Sequence, residues 1–137
     1  MILEYHAKRS PRFALRAGPD AEDQVRRLLA GRLRDGESRV LVWDEDGDLC
    51  GLCIARVLHR PGIFAETERG EIEQLLVREP SRRRGIGRAL AEAGLAWMGE
   101  RGIRRAEIQV AAENVGARAF WRALGFEAAM DVLEKRL

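Results

Sequence analysis

Apolar residues recur along the chain at two spacings, one typical of helices and the other typical of strands. Spacings of three and four residues, which place apolar side chains on one helix face, occur in three segments: 20–36, 86–102 and 114–125. Runs typical of β-strands occupy five segments: 13–17, 40–43, 49–58, 71–77 and 106–110. Residues 126–137 are expected to add an edge strand. The chain therefore combines helices with a sheet.

Turn residues predict how the first strands of the sheet pair. The dipeptide Asp46-Gly47 is a strong hairpin signal, so the strands at 40–43 and 49–58 are expected to pair antiparallel. Within residues 71–77 the apolar positions break strict alternation, as they would at a β-bulge. This strand is therefore expected to be irregular at its centre.

The order of the later elements predicts the rest of the topology. A strand at 71–77, a helix at 86–102 and a strand at 106–110 follow one another, which favours a parallel βαβ unit with a right-handed crossover. The expected fold class is therefore α+β, a mixed α/β arrangement with helices flanking one sheet. A length of 137 residues allows one domain, which is expected to cover residues 1–137.

Composition and charge exclude several classes of protein. Hydrophobic residues make up 46% of the chain, which is too many for a disordered segment. The 24 basic and 22 acidic side chains nearly cancel to a formal charge of +2, which argues against a generic nucleic-acid binder. No run is long and apolar enough for a bilayer span, and the N-terminus lacks the apolar stretch of a signal peptide. A cytoplasmic protein without a membrane or nucleic-acid partner is expected.

Cysteine and histidine positions do not suggest a metal. Cys50 and Cys53 lie three residues apart, but their surroundings are typical of a buried strand and not of the helix start where redox pairs lie. Structural zinc requires four ligands, and His6 and His59 are far apart in sequence. No metal site is predicted.

The stretch between the irregular strand and the second helix carries the clearest chemistry. Two glycines allow a ligand to approach the backbone, and a turn that enters a helix presents unpaired amides with about half a positive charge. Surrounding arginines add full charges, so a pyrophosphate is the expected guest. The residues concerned are Arg82, Arg83, Arg84, Gly85, Ile86, Gly87 and Arg88. The alternatives are a solvated helix start that binds nothing, or a nucleic-acid patch.

Three blocks in the second half of the chain resemble one known family. They are L-x-V at 75–77, R-x-x-G-x-G at 82–87 and N-x-x-A-x-x-F-W-x-x-x-G-F from Asn114 to Phe126. In this order they resemble the GNAT superfamily of acetyl-CoA-dependent N-acetyltransferases, and the first sixty residues match in pattern alone. The resemblance implies a mostly antiparallel sheet in which a bulged strand and the following parallel strand splay apart. The pantetheine arm of acetyl-CoA would lie between them.

The resemblance also implies which residues contact the cofactor. Backbone groups of Leu75, Leu76 and Val77 would pair with the pantetheine amides, and the amides of residues 83–88 would hold the pyrophosphate. Asn114 would cap a helix, contact the cofactor, or do both. The full predicted cofactor-binding set is Leu75, Leu76, Val77, Arg82, Arg83, Arg84, Gly85, Ile86, Gly87, Arg88, Asn114 and Trp121.

Acetyl transfer to an amine requires a base, an oxyanion donor and a proton for the departing thiolate. Glu71 and Glu73 are expected to face the same side of their strand, and Glu71 is preferred as the base because some relatives carry theirs six residues before Val77. Glu73 is the second candidate. The alternative is that both are solvated and that water relays the proton. By resemblance, a backbone N–H near Leu75 or Leu76 would be the oxyanion donor.

Trp121 is the clearest departure from the family pattern. Many relatives carry at this position a tyrosine thought to protonate the coenzyme A thiolate, and an indole does not release its proton near neutral pH. A thiol with a pKa of about 8.5 can leave as the anion, so catalysis can continue with solvent as the acid. The alternative is that Trp121 belongs to the core.

The acceptor is the least constrained part of the function. Acidic residues Glu66, Glu68, Glu71 and Glu73 precede the arginine-rich stretch, which favours a small or peptidyl cationic amine as acceptor. A solvated charged loop is the alternative. A non-catalytic acyl-CoA-binding or regulatory module is the second hypothesis for the whole chain. A homodimer is expected because oligomers are common in this superfamily.

Overall fold

The computed structural model describes residues 1–2 and 18–137. Its helices and strands, in chain order, are α1 (Ala21–Arg34), β1 (Ser38–Glu45), β2 (Asp48–His59), β3 (Glu68–Val77), α2 (Ile86–Glu100), β4 (Ala106–Glu107) and α3 (Val115–Ala123). A single 3-10 turn, Glu79–Ser81, precedes α2. The strand expected at 13–17 lies outside the described residues. Among the helices described, none has both the length and the apolar character needed to cross a membrane.

The four strands form one mixed sheet in the order β1-β2-β3-β4. β1 pairs with β2 and β2 with β3 in antiparallel fashion, whereas β4 runs parallel to β3. Asp46 and Gly47 both have positive φ, 54° and 86°, which is the geometry of a type I′ hairpin. The predicted hairpin, parallel βαβ unit and α+β class are therefore confirmed.

A bulge at Glu73 divides β3 into two halves. Side chains an even number of positions apart, one in each half, lie on opposite faces of the sheet. Ile72 lies opposite Ala55 and Gln74 lies opposite Ile54, so Glu73 is an extra residue without a partner position on β2. Ile72 belongs to the core beneath α2, whereas Leu76 belongs to the core beneath α1. In an unbroken strand, positions 72 and 76 would share a face. The predicted irregularity is confirmed.

The sheet carries apolar side chains on both faces. The larger cluster lies under α2 and α3 and includes Ile72, Leu90, Met98 and Trp121. The smaller cluster faces α1, which covers it with half-buried side chains and buries no residue completely. α1 is therefore held over the sheet by partial packing, together with the ion pair between Arg32 and Glu73.

Residues 126–137 do not form the predicted edge strand. α3 ends at a glycine with left-handed geometry, Gly125 at φ 88°, and the chain beyond it has no regular secondary structure. The exposed fractions of Met130, Val132 and Leu133 are 84, 64 and 92%. An edge strand needs a long neighbouring ladder, and β4 pairs over two residues instead of the five predicted at 106–110. The prediction of an edge strand at residues 126–137 is therefore wrong.

Both cysteines are buried in β2, and this predicts their reactivity. Burial raises the pKa of the Cys53 thiol to about 12, and Cys50 is 2% exposed. Because the thiolate is the reactive form, Cys53 in the folded protein is expected to resist an aromatic disulfide reagent at pH 8. Denaturant should release two reactive thiols per chain. Rapid labelling of Cys53 before unfolding, located by peptide mass, would contradict this placement.

Candidate functional site

β3 and β4 separate soon after they meet. Their pairing covers Gly70 with Ala106 and Glu71 with Glu107, and it stops there. Beyond it, a cleft of about 1030 Å³ opens between residues 72–77 and residues 108–111. The predicted splay of the parallel pair is therefore confirmed. It exposes an edge of β3 whose backbone groups can pair with an extended ligand.

The N-terminus of α2 opens into the same cleft. Gly85 precedes the helix with left-handed geometry, at φ 80°, and no side chain caps the helix start. The first amides of a helix lack intrahelical acceptors and carry partial positive charge, so this end is suited to an anion. A Cβ added to Gly87 would lie 3.5 Å from Val77 and 3.7 Å from Phe120, both of which line the cleft. The backbone of Gly87 therefore borders the cavity directly.

The arginines around this helix start do not all face the cavity. Arg82, Arg83 and Arg88 line the cleft. The Nε of Arg82 donates to the carbonyl of Val77 at 3.0 Å. Arg84 is directed elsewhere, and its guanidinium pairs with Glu45 at 2.7 and 3.0 Å. Three of the four arginines therefore line the cavity, and one of them, Arg88, also pairs with Glu92 at 3.1 Å.

Most of the predicted site residues meet in this cleft. Its lining includes Glu71, Glu73, Leu75, Val77, Arg82, Arg83, Gly85, Ile86, Gly87, Arg88, Asn114 and Trp121. Leu76 and Arg84 are the predicted residues that do not line it. The bulge explains Leu76, whose side chain is buried on the opposite face of the sheet, beneath α1.

Asn114 and Trp121 both have structural roles. The side chain of Asn114 caps α3 by accepting a hydrogen bond from the amide of Ala117 at 3.1 Å. Trp121 is 6% exposed and meets Phe120 and Phe126 edge to face, at centroid distances of 5.0 and 5.1 Å. The alternative that Trp121 belongs to the core therefore agrees with its position, although part of it borders the cleft.

The two candidate base carboxylates differ in how firmly they are held. Arg32 of α1 donates to both carboxylate oxygens of Glu73, at 2.6 and 2.7 Å, and Arg56 donates to Glu73 at 3.3 Å. The hydrogen bond to Glu73 raises the pKa of Arg32. Glu71 lies 3.8 Å from Arg56, which is a looser contact. Glu71 is therefore held less firmly than Glu73.

Arg32 and Arg56 are not among the predicted site residues, although the sequence contains a signal for both. Arg32 follows Val25 by seven residues and Leu29 by three, so it lies on the sheet-facing stripe of α1. Arg56 lies on the same face of β2 as Ile54 and Leu52, which come two and four residues earlier and are buried beneath α1. A charged residue at an inward position predicts a paired partner, because an isolated buried charge is costly.

Each of the four glutamates that suggested an acidic patch contacts a basic side chain. Glu66 lies 2.9 Å from Arg105, and Glu68 lies 3.5 Å from His59. Glu71 and Glu73 have the arginine contacts described above. Local charge therefore gives weaker support for a cationic acceptor than the sequence predicts.

The opposite wall of the cleft is only partly predictable from the sequence. It is formed by Ile108, Gln109, Val110, Ala111 and Glu113, together with Phe120 of α3. The sequence places 106–110 in a strand, but it does not indicate that the strand leaves its neighbour after two residues. Among the residues described, no group of three or more His, Cys, Asp or Glu side chains is arranged to hold a metal ion.

Comparison with known proteins identifies the family. The protein-family model described as "Acetyltransferase (GNAT) family" matches residues 3–126 of this chain. The chain belongs to the GNAT acetyltransferase family. The match spans every helix and strand from α1 to α3, so every wall of the cleft lies within the GNAT region.

Individual relatives cover different shares of this GNAT chain. Aminoglycoside N(6')-acetyltransferase type 1 of Stenotrophomonas maltophilia is 34% identical over 121 residues, which cover 87% of the chain and 78% of that protein. An N-alpha-acetyltransferase of Arabidopsis thaliana is 33% identical over 76 residues, covering 56% of the chain and 40% of that protein. A solved structure of AAC(6')-Iy with the bisubstrate analogue CoA-S-monomethyl-acetylneamine has a TM-score of 0.74 at 22% identity, covering 85% of the chain and 80% of that one. At 22% identity, the similarity to the AAC(6')-Iy structure supports the fold alone.

Proposed function

We propose that this GNAT protein is an N-acetyltransferase that moves the acetyl group of acetyl-CoA directly to a primary amine within a ternary complex. The observation that carries the proposal is the cleft itself. It joins an exposed strand edge, which suits the amides of pantetheine, to an uncapped helix start, which suits a pyrophosphate. Both features lie within the region that matches the family.

Backbone groups supply most of the proposed cofactor contacts. Residues 75–77 of β3 would pair with the pantetheine arm, and the amides of residues 83–88 would hold the pyrophosphate. Arg82, Arg83 and Arg88 add positive charge at the rim. The structure of AAC(6')-Iy with a CoA-containing analogue supports coenzyme A as the ligand of this type of fold.

Glu71 is the proposed general base. It accepts a proton from the acceptor ammonium, directly or through one water, so that the amine attacks as the neutral nucleophile. The new N–C bond forms as the C–S bond to coenzyme A breaks, and the nitrogen releases its second proton to solvent, which leaves a neutral amide. A backbone N–H near Leu75 or Leu76 donates to the developing oxyanion. Because Trp121 does not release a proton, the thiolate leaves as the anion and takes its proton from solvent.

The proposed acceptor is a small or peptidyl amine. Relatives of both kinds support this breadth, since one is named an aminoglycoside N(6')-acetyltransferase and another an N-alpha-acetyltransferase. The pairing of the acidic residues with basic side chains favours recognition by shape and hydrogen bonds over recognition by net charge. We further propose a single cytoplasmic domain that acts as a homodimer without a metal.

A non-catalytic acyl-CoA-binding module is the second candidate. Trp121 favours it, because a buried indole occupies the position where a proton donor is expected. This module would bind acetyl-CoA through the same cleft and release no free thiol.

A panel of amines separates the two candidates. Purified protein with acetyl-CoA would be tested against neamine, peptides with free α-amines and simple diamines, with free thiol and acceptor mass recorded together. A transferase should release one thiol for each acceptor that gains an acetyl group. Calorimetric binding of acetyl-CoA without turnover on any amine would favour the binding module, and absence of binding would contradict both.

A further inference from the structure

We propose that Glu45 is a positioning residue for the phosphate-binding loop, and that it acts by holding the side chain of Arg84. The inference rests on the proposed cofactor site. It assigns Arg84 a different role from the one expected from sequence, where the guanidinium itself would meet the pyrophosphate. In the structure, that guanidinium anchors the loop to the end of β1.

The contact between the two side chains is bidentate. Nη2 of Arg84 donates to Oε1 of Glu45 at 2.7 Å, and Nη1 donates to Oε2 at 3.0 Å. Two parallel bonds between planar groups fix orientation as well as distance, which a single point contact does not do. The pair joins positions 39 residues apart, so it ties the first hairpin to the loop before α2.

A second donor, from the hairpin, holds the Glu45 carboxylate in place. The indole Nε1 of Trp43 donates to Oε1 at 3.1 Å. The Sγ of Cys50 lies 3.7 Å from Oε2, but it is closer to the carbonyl of Asp48, at 3.3 Å. Cys50 belongs to the core beneath α2, and Trp43 packs against that core. The hydrogen bonds from Arg84 and Trp43 lower the pKa of Glu45, so the carboxylate stays ionised at neutral pH. This arrangement distinguishes Glu45 from a surface carboxylate with a single mobile partner.

The loop that Arg84 anchors has an uncommon backbone. Arg83 has φ 60° and Gly85 has φ 80°, so left-handed residues lie on both sides of Arg84. A non-glycine residue keeps such a conformation where its surroundings enforce it. Here the flanking side chains are both fixed, Arg84 by Glu45 and Arg82 by the carbonyl of Val77.

Anchoring the loop has a direct consequence for binding. Amides that are already oriented towards the cleft lose little conformational freedom when an anion arrives, so affinity is higher than for a loop that must first become ordered. Glu45 does not line the cleft. It would therefore influence the affinity for coenzyme A without contacting the ligand.

The test compares calorimetric dissociation constants for coenzyme A among three variants and the wild type. Glu45→Gln keeps the shape of the side chain and removes its charge, and we expect the dissociation constant to rise about fivefold. Arg84→Gln should cause a similar rise, and the double variant should be no weaker than either single one, because both act through one contact. In Glu45→Gln the KM for acetyl-CoA should rise in parallel, with kcat at saturation unchanged.

A matched control lies on the same hairpin. Asp48 pairs with Arg78 at 2.8 Å outside the cleft, so Asp48→Asn should leave the dissociation constant within twofold of wild type. Unchanged affinity in Glu45→Gln would overturn the inference. A much larger loss in Arg84→Gln than in Glu45→Gln would also overturn it, because Arg84 would then contact the phosphate itself. If the wild type failed to bind coenzyme A, the proposed function would fail together with this inference.

Discussion

Gly87→Asp is expected to abolish acetyl-CoA binding and to leave the fold intact. The added Cβ would project into the cleft, where its nearest neighbours, Val77 and Phe120, lie at ordinary contact distances of 3.5 and 3.7 Å. A carboxylate there would meet the pyrophosphate, and like charges brought together in a binding site cost several kcal/mol. The dissociation constant should therefore rise by a factor of about a hundred or more. Calorimetric titration measures it.

The same substitution should not harm α2. Gly87 lies in the first turn of the helix, where an acidic side chain complements the helix dipole and aspartate has a higher helix propensity than glycine. Gly99→Asp is the matched control, because Gly99 lies in the same helix with nothing within 4 Å of its added Cβ. That variant should bind acetyl-CoA normally. Normal binding by Gly87→Asp would refute the placement of the pyrophosphate at this helix start.

Glu71→Gln is expected to lower kcat about a hundredfold, with little change in the KM for acetyl-CoA. The amide keeps the shape of the side chain and cannot accept the ammonium proton, and general-base catalysis typically contributes a factor of about 10²–10⁴. The loss should shrink as the pH rises towards the pKa of the acceptor amine, because the amine then loses its proton to solvent. Steady-state kinetics across pH, with an acceptor found in the amine panel, would measure both effects.

Two further glutamates on β3 serve as comparisons. Glu68→Gln removes a carboxylate paired with His59 outside the cleft, and it should leave kcat within twofold of wild type. Glu73→Gln weakens the half-buried pair with Arg32 and should lower the melting temperature more than Glu71→Gln does. A normal kcat in Glu71→Gln would show that a water chain removes the proton without this carboxylate.

Local features of the sequence predict much of this fold. The hairpin follows from Asp46-Gly47, the bulge follows from the broken alternation of apolar positions within residues 71–77, and the uncapped helix start follows from Gly85 and its neighbours. Each of these depends on residues within a few positions of one another. The three family blocks add the long-range information, because their resemblance to GNAT proteins implies that distant segments of the chain form one cleft.

Contacts between distant side chains are not predictable in the same way. The sequence predicts that the guanidinium of Arg84 adds positive charge beside the pyrophosphate. In the structure this guanidinium pairs instead with Glu45, 39 residues earlier. Arg32 reaches Glu73 across 41 residues, and the periodicity of α1 indicates its direction without naming its partner. The edge strand expected at 126–137 depends on a long ladder along β4, and sequence does not record where that ladder stops.

We propose above all that coenzyme A binds between the splayed strands with its pyrophosphate at the start of α2. Titration of coenzyme A into ¹⁵N-labelled protein, followed amide by amide, tests it most directly. The largest shifts are predicted at residues 83–88 and 75–77. A smaller cavity of about 320 Å³ on α3, lined in part by Arg118 and Arg122, provides a comparison elsewhere on the surface. Shifts centred on Arg118 and Arg122, with residues 83–88 unmoved, would contradict the account.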